Sequence, residues 1–212
     1  MSNGLLFESF RITIAGRTLV ALDALVAPGE VLTVMGPSGS GKSTLLAVVT
    51  GTAAGVFEVS GRVCLDGRSL LGLPAHERRV GILFQDELLF PHLSVAGNLA
   101  FGLAPEHRGR ATRRRLVEEG LSAVGLSGFA ERDPATLSGG QKARVALLRT
   151  LLAGPRALLL DEPFSRLDVA LRVAMRRLVF GMARDRGLPV LLVTHDPADA
   201  EDAGGPLIVL DA

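Results

Sequence analysis

The sequence has 212 residues, enough for one sizeable α/β domain with a small inserted lobe and too few for several domains. Hydrophobic residues are 48% and charged residues 21%, and the net charge of +1 gives no global argument for nucleic acid or anionic lipid as partner. Mean hydropathy is +0.35, yet no apolar run reaches the about 18 residues of a membrane span, because Leu147–Leu160 is broken by Arg149, Pro155 and Arg156; the excess apolar surface is expected in the core or against partners.

Met1–Gly4 carries no basic stretch leading into an apolar one, so no secretory signal is expected and the chain should stay in the cytoplasm. Leu5–Ala27 alternates apolar and polar residues in two bursts around Ala15-Gly16-Arg17, the pattern of a hairpin or meander at a sheet edge. Pro28-Gly29 ends it, and the β-branched run Val31–Met35 follows. Next comes Gly36-Pro37-Ser38-Gly39-Ser40-Gly41-Lys42-Ser43-Thr44, which fits G-x-x-x-x-G-K-[ST], and then the helical pattern Leu45–Val49. Glycine there permits backbone angles and close approach that a side chain blocks, so successive N–H groups can converge on phosphate oxygens at the positive end of the helix. Lys42 can reach the β- and γ-phosphates, and the Ser43 hydroxyl can ligate Mg²⁺. A flexible Gly/Ser turn is the plain alternative, and the flanking strand and helix count against it.

Glu58–Asp66 alternates again and ends in the turn dipeptide Asp66-Gly67. It contains Cys64, the only cysteine, expected to be a small buried hydrophobe; no intrachain disulfide is possible. Leu70–Pro74 reads as a loop and Arg79–Phe84 as a short buried strand that ends on Gln85, a polar residue where a ligand-facing side chain is expected. Between Gln85 and Leu137 the character changes. Helical periodicity in Val95–Leu103 and Thr112–Val124, punctuated by glycines, predicts a small helical lobe over about 88–155 inserted in the α/β body. Its basic run, Arg108, Arg110, Arg113, Arg114 and Arg115, suggests a nucleic-acid or headgroup site, but no aromatic is interleaved and a solvated helix face is the simpler account.

Leu137-Ser138-Gly139-Gly140-Gln141 opens a helix predicted from about Lys142 to Leu152, with Ser138 as N-cap. Two glycines there leave backbone N–H groups uncovered, making a second anion-binding helix start suited to a nucleotide held by another copy. The apolar run Ala157–Leu160 delivers Asp161-Glu162 at the end of a strand of the parallel-sheet kind. Adjacent carboxylates at that place either lie in solvent or have work to do: Asp161 can hold Mg²⁺ and Glu162 can polarise an attacking water. Phe164–Asp168 turns into a helix running to about Arg184; Pro189–Thr194 is another buried strand, ending on His195-Asp196; Leu207–Leu210 is a last strand. A lone histidine is commonly structural, but His195 ends a strand of the same sheet edge as Asp161, which favours a γ-phosphate contact.

Taken together these residues resemble the ATP-binding cassette ATPases, specifically the nucleotide-binding subunits of bacterial importers, over nearly the whole length. The P-loop is shared by many kinases and GTPases, whereas Leu137-Ser138-Gly139-Gly140-Gln141 is the signature of the cassette family, and its order with Gln85, Asp161-Glu162, Asp168 and His195 makes the likeness specific. Phe84-Gln85-Asp86, Leu89–Val95 and Asn98 are similar to the corresponding region of the sulfate, polyamine and thiamine importer group, and the chain is also similar to an enterobacterial importer subunit.

The resemblance implies a P-loop NTPase of α/β class, a mixed sheet with an antiparallel β subdomain and a small inserted helical subdomain. It implies ATP and Mg²⁺ as ligands: Lys42 on the β- and γ-phosphates, Ser43 and Gln85 on Mg²⁺, Glu162 as general base and His195 on the γ-phosphate. Ser138, Gly139, Gly140 and Gln141 would cap the nucleotide of the opposite subunit in a head-to-tail homodimer, with Asp168 on its axis. The implied partners are transmembrane permease subunits, docked in the groove of the helical lobe, and indirectly an external solute-binding protein. The implied place is the cytoplasmic face of the cell membrane, with no nucleic acid bound.

Three departures from the family stand out. Such cassettes stack adenine on an aromatic ahead of the P-loop, whereas this chain has Ile12-Thr13-Ile14-Ala15-Gly16, with Phe10 nearby and out of register; a lost stacking contact is worth roughly 1 to 3 kcal/mol. Arg166 stands where a small residue is common, and no C-terminal regulatory domain is expected after the last strand. A cassette protein acting on ribosomes or DNA is the rival from another class, but those usually join two cassettes or insert a long coiled coil. A soluble P-loop kinase or GTPase leaves residues 137–141 unexplained.

Overall fold

A computed structural model of the protein describes residues 3–210, so the reading of Met1 and Ser2 lies outside the described residues. The described chain divides into two compact units, which are taken separately. The first holds the residues up to Ile82, Arg156–Glu162 and those from Phe180 onward.

In that unit the alternating bursts form β1 (Leu5–Ile14) and β2 (Arg17–Val26), an antiparallel pair. β4 (Glu58–Leu65) pairs antiparallel with the other edge of β1, and a two-residue β5 (Arg68–Ser69) follows the Asp66-Gly67 turn, giving the order β2-β1-β4-β5. Leu5, Phe7, Phe10, Ile12 and Val63 turn one face of this sheet into core. Phe10 is fully buried and packs edge-on against Phe7 at 5.5 Å, so it is no platform for a base. Cys64 is only half-buried, contrary to expectation, because it falls on the β4 position between buried Val63 and Leu65 and points to the other face.

The second sheet has the order β6-β7-β8-β3-β9, from β3 (Val31–Met35), β6 (Val80–Leu83), β7 (Ala157–Asp161), β8 (Val190–Thr194) and β9 (Leu207–Val209). β7, β8, β3 and β9 pair in parallel, so their carboxyl ends share one edge. β3, β7 and β8 are almost wholly buried, which explains continuous apolar runs rather than alternation. Two helices belong wholly to this unit: α1 (Lys42–Thr50) and the unanticipated α6 (Pro197–Ala203), capped by the Asp196 carboxylate with Pro197 in its first turn. The longer α5 (Val169–Asp185) reaches it from Phe180 onward.

The second unit holds Leu83–Pro155 and Pro163–Val179. It contains α2 (Val95–Gly102), α3 (Arg110–Ala123) and α4 (Gly139–Leu152), besides the start of α5. Leu99, Leu121, Val145, Leu147 and Leu148 are fully buried at its centre, and a Cβ on Gly120 would stand 2.8 Å from Leu148, so glycine sets how closely α3 approaches α4. The helix α4 starts at Gly139, three residues before the predicted Lys142: once Ser138 caps, the two glycines are the first turn of the helix and not a loop before it. Of the basic run, Arg113 turns inward, donating to the His107 carbonyl at 3.1 Å and to the Ala100 carbonyl, while Arg108, Arg110, Arg114 and Arg115 are exposed.

Candidate functional site

In the first unit, β3 ends at the P-loop, and α1 leaves it with Gly41 as a left-handed N-cap (φ 94°) and no side chain capping its first N–H groups. Those donors and the helix dipole face outward for an anion. The glycines have distinct reasons. A Cβ on Gly36 would stand 2.6 Å from Ser40 Oγ and 3.0 Å from the Leu210 carbonyl; one on Gly41 would stand 2.6 Å from Leu19 Cγ; Gly39 has open space around it but a φ of +87°. Close approach demands the first two and backbone angle the third, while Gly39 leaves room for a ligand. Ser40 Oγ is buried with no hydrogen-bond partner among the described residues. Lys42, 8% exposed, bends back so that Nζ donates to the Gly36 and Pro37 carbonyls, each at 2.7 Å.

A cleft of about 280 Å³ is lined by Ser38, Gly39, Gly41, Lys42, Ser43, Thr44, Asp161 and Glu162. Thus the loop and the carboxyl end of β7 share one cavity. Burial, then the neighbouring Glu162 carboxylate, push the Asp161 pKa above its ordinary 3.8, and the Lys42 charge offsets part of this. A divalent cation would reverse that balance. Glu162 takes φ 46°, a left-handed angle costing about 1–2 kcal/mol in a non-glycine residue. Its N–H donates to the Val193 carbonyl at 2.9 Å, and its Oε1 lies 3.1 Å from His195 Nδ1. Beneath His195, Thr194 Oγ1 donates to Asp199 Oδ2 at 2.5 Å and accepts from Asp196 N at 3.1 Å. Asp199 is 2% exposed. This buried pair fixes the end of β8, and sequence reasoning missed it; the Asp-Pro start of α6 was its only local signal.

The second unit holds the remaining candidates. Ser138 and Gln141 form a reciprocal capping box: Ser138 Oγ accepts from Gln141 N at 3.3 Å and Gln141 Oε1 accepts from Ser138 N at 2.9 Å. A Cβ on Gly140 would stand 2.4 Å from Leu171 Cδ2, whereas Gly139 is exposed with nothing within 4 Å. Packing accounts for Gly140, and Gly139 is free for a ligand's approach. Asp168 Oδ1 accepts from Leu171 N at 2.9 Å and so caps the start of α5. Gln85 is exposed, two residues beyond the end of β6.

The family model described as "ABC transporter" matches residues 19–165. The chain is 50% identical over 188 residues to the uncharacterized ABC transporter ATP-binding protein YnjD of Escherichia coli, covering 87% of this chain and 86% of that protein. It is 48% identical over 178 residues to the thiamine import ATP-binding protein ThiQ of Cereibacter sphaeroides, covering 84% of this chain and 76% of that protein. A match of 48% identity to the Fe(3+) ions import ATP-binding protein FbpC of Streptomyces coelicolor covers 87% of this chain and 52% of that relative.

Proposed function

The chain belongs to the ABC transporter family as an ATP-binding, ATP-hydrolysing subunit of a bacterial importer, and on that premise we propose how its residues divide the work. The observation that carries the proposal is the single cleft in which an uncapped helix start, Lys42, Ser43, Asp161 and Glu162 meet, with Glu162 held 3.1 Å from His195. Triphosphate lies along residues 36–44, its negative charge on the α1 N-terminus and on Lys42, which leaves the loop carbonyls for phosphate oxygens. Ser43 and Asp161 would hold Mg²⁺, which when bound would supply charge neutralisation for the transferring phosphoryl group, whereas Gln85 belongs to the second unit and does not line this cleft. Glu162 accepts a proton from water as that water attacks the γ-phosphorus, the bond to the β,γ-bridging oxygen breaks, and ADP and phosphate leave. Its left-handed backbone and its contact with His195 hold the carboxylate in one orientation, and His195 donates toward the γ-phosphate.

Ser138, Gly139, Gly140 and Gln141 complete the site of a second copy in a head-to-tail dimer; the open space at Gly139 and the capped, rigid helix start support this. An importer subunit of this kind works with a membrane permease, and no helix among the described residues is long and apolar enough to cross a membrane itself. The pair acts at the cytoplasmic face, with an external solute-binding protein delivering cargo to the permease.

The test is Glu162→Gln. Removing a general base lowers kcat about 10²- to 10⁴-fold, while nucleotide affinity stays within about threefold, because Glu162 is not asked to bind the ground state. Unchanged steady-state turnover refutes the assignment. Isolation of the tagged chain from solubilised membranes tests the assembly, with about one permease dimer per two copies expected; ribosomal or DNA-repair partners alone would overturn it.

A further inference from the structure

His195 leaves β8 with its side chain 62% exposed, yet its Nδ1 meets Glu162 Oε1 at 3.1 Å. Solvent and rotamer freedom both work against such a contact, so the backbone beneath it has to be fixed. Both neighbours of His195 are. Thr194 is 2% exposed and closes the β8 register opposite Met35. Its hydroxyl joins two anchors, donating to Asp199 Oδ2 at 2.5 Å and accepting from Asp196 N at 3.1 Å. Asp196 in turn caps α6, its Oδ1 accepting from Ala198 N at 2.9 Å and its carbonyl accepting from Asp199 N at 3.1 Å. The bonds run from Thr194 to Asp199, back to Asp196 and again to Thr194, and His195 is the residue they enclose. The other partner hangs from the same strand: Glu162 N donates to the Val193 carbonyl at 2.9 Å, one residue before Thr194. Every residue of this arrangement belongs to the first unit.

We propose that Thr194 and Asp199 are positioning residues that hold the His195 imidazole against Glu162. Asp199 is 2% exposed, and a carboxylate so deeply buried gives up its hydration for the bonds it receives. The threonine hydroxyl is suited to the place because it donates and accepts at once, joining that carboxylate to the amide that follows His195. Serine keeps both functions and valine keeps neither. Loss of one net hydrogen bond corresponds to about a 2- to 10-fold change in an equilibrium, here that between the held and the released imidazole. For its bearing on hydrolysis the proposal rests on the roles given above to Glu162 and His195; the geometry it asserts needs neither nucleotide nor metal.

The experiment is ¹H–¹⁵N NMR of the imidazole rings in the full chain without nucleotide or metal. His195→Gln identifies the His195 resonances among those of the four histidines, and Glu162→Ala sets where they lie once the contact is lost. Thr194→Val and Asp199→Ala should each move them along the line from the parent position toward the Glu162→Ala position, by the about 2- to 10-fold change in held-to-released ratio that one hydrogen bond supplies. Thr194→Ser, which keeps the hydroxyl, and Asp199→Asn, which keeps an acceptor, should stay near the parent. Thr194→Val combined with Asp199→Leu removes donor and acceptor together, so it recovers melting temperature lost in the single variants while His195 stays displaced. A role confined to stability would return both, and that result overturns the proposal. So do His195 resonances that stay in place in Thr194→Val or move off the line. Glu162→Ala resonances that coincide with the parent's show no contact in solution and overturn it at its root. Unchanged turnover in Glu162→Gln, by contrast, removes the catalytic assignment and leaves the positioning result standing.

Discussion

Arg78 holds the far end of the P-loop helix, and replacing it by methionine isolates what that grip contributes. Its Nη1 donates to the Val48 and Val49 carbonyls at 2.6 and 3.0 Å, and its Nε donates to the Leu73 carbonyl at 2.8 Å. Val48 and Val49 lie in the last turn of α1, where the Val48 carbonyl also accepts from the capping Gly51 N–H at 3.3 Å and the helix ladder has run out for Val49. Arg78 is 8% exposed, and burial lowers its pKa, so desolvation opposes the contact and the bonds must outweigh it. Methionine keeps the stem and removes the donors, leaving the buried Val49 carbonyl unsatisfied at about 1–3 kcal/mol and taking a further donor from the Val48 and Leu73 carbonyls. Relief of the buried charge returns part of this, for a net loss of about 2–4 kcal/mol. In a chain of this size that lowers Tm by about 5–15 °C. Urea and thermal unfolding read the loss, with the denaturant slope unchanged. Nucleotide affinity well below the transition should stay within about threefold, because Lys42 and Gly41 sit at the opposite helix end. A loss under about 0.5 kcal/mol, the level of an ordinary surface substitution, refutes the reasoning.

Asp161→Asn should stabilise the nucleotide- and metal-free chain near neutrality. Because burial and Glu162 raise the Asp161 pKa above 3.8, the folded chain keeps that proton where the unfolded chain releases it, so the parent loses stability as pH rises through that window. Urea titrations from about pH 4 to 7 should show the variant gaining on the parent, and a pH-independent difference contradicts this. Gly41→Ala should cost about 1–3 kcal/mol more than Gly39→Ala, since both force a left-handed alanine but only Gly41 drives its Cβ into Leu19 and Val20; equal unfolding midpoints would show that those neighbours yield. Ser138→Ala removes one half of the α4 capping box and should cost about 1 kcal/mol by thermal melting, and an unshifted Tm counts against that cap.

The P-loop, the residues at the ends of β7 and β8, and the α4 cap are legible in the sequence because each is written in contiguous residues whose period or turn chemistry decides the local structure. Ser138 illustrates the limit of that signal: the capping pattern locates the helix, yet its first residue is Gly139 and not Lys142, since glycine's low helix propensity yields to a satisfied cap. Arg78 and Arg166 are illegible for another reason. Their partners, the Val48 carbonyl and the Asp86 carboxylate, stand 30 and 80 residues away, and a lone arginine in a loop carries no mark of where it lands. Asp199 falls between: Asp196-Pro197 announces a helix, but only the tertiary fold turns the next acid inward onto Thr194.

On the proposed assignment of Lys42 to the phosphates, nucleotide entry is an exchange and not a simple addition. The ammonium group already satisfies two donors on the Gly36 and Pro37 carbonyls, so an incoming anion gains only the difference between its oxygens and those it displaces. A single phosphate ion offers little beyond the carbonyls, whereas a β- and γ-phosphate pair offers several charged acceptors at once. On that assignment the loop should favour a longer phosphate chain before any base is sensed. The same two bonds tie Lys42 back onto its own loop, so the cradle's shape is set by the chain itself and not only by what it would bind.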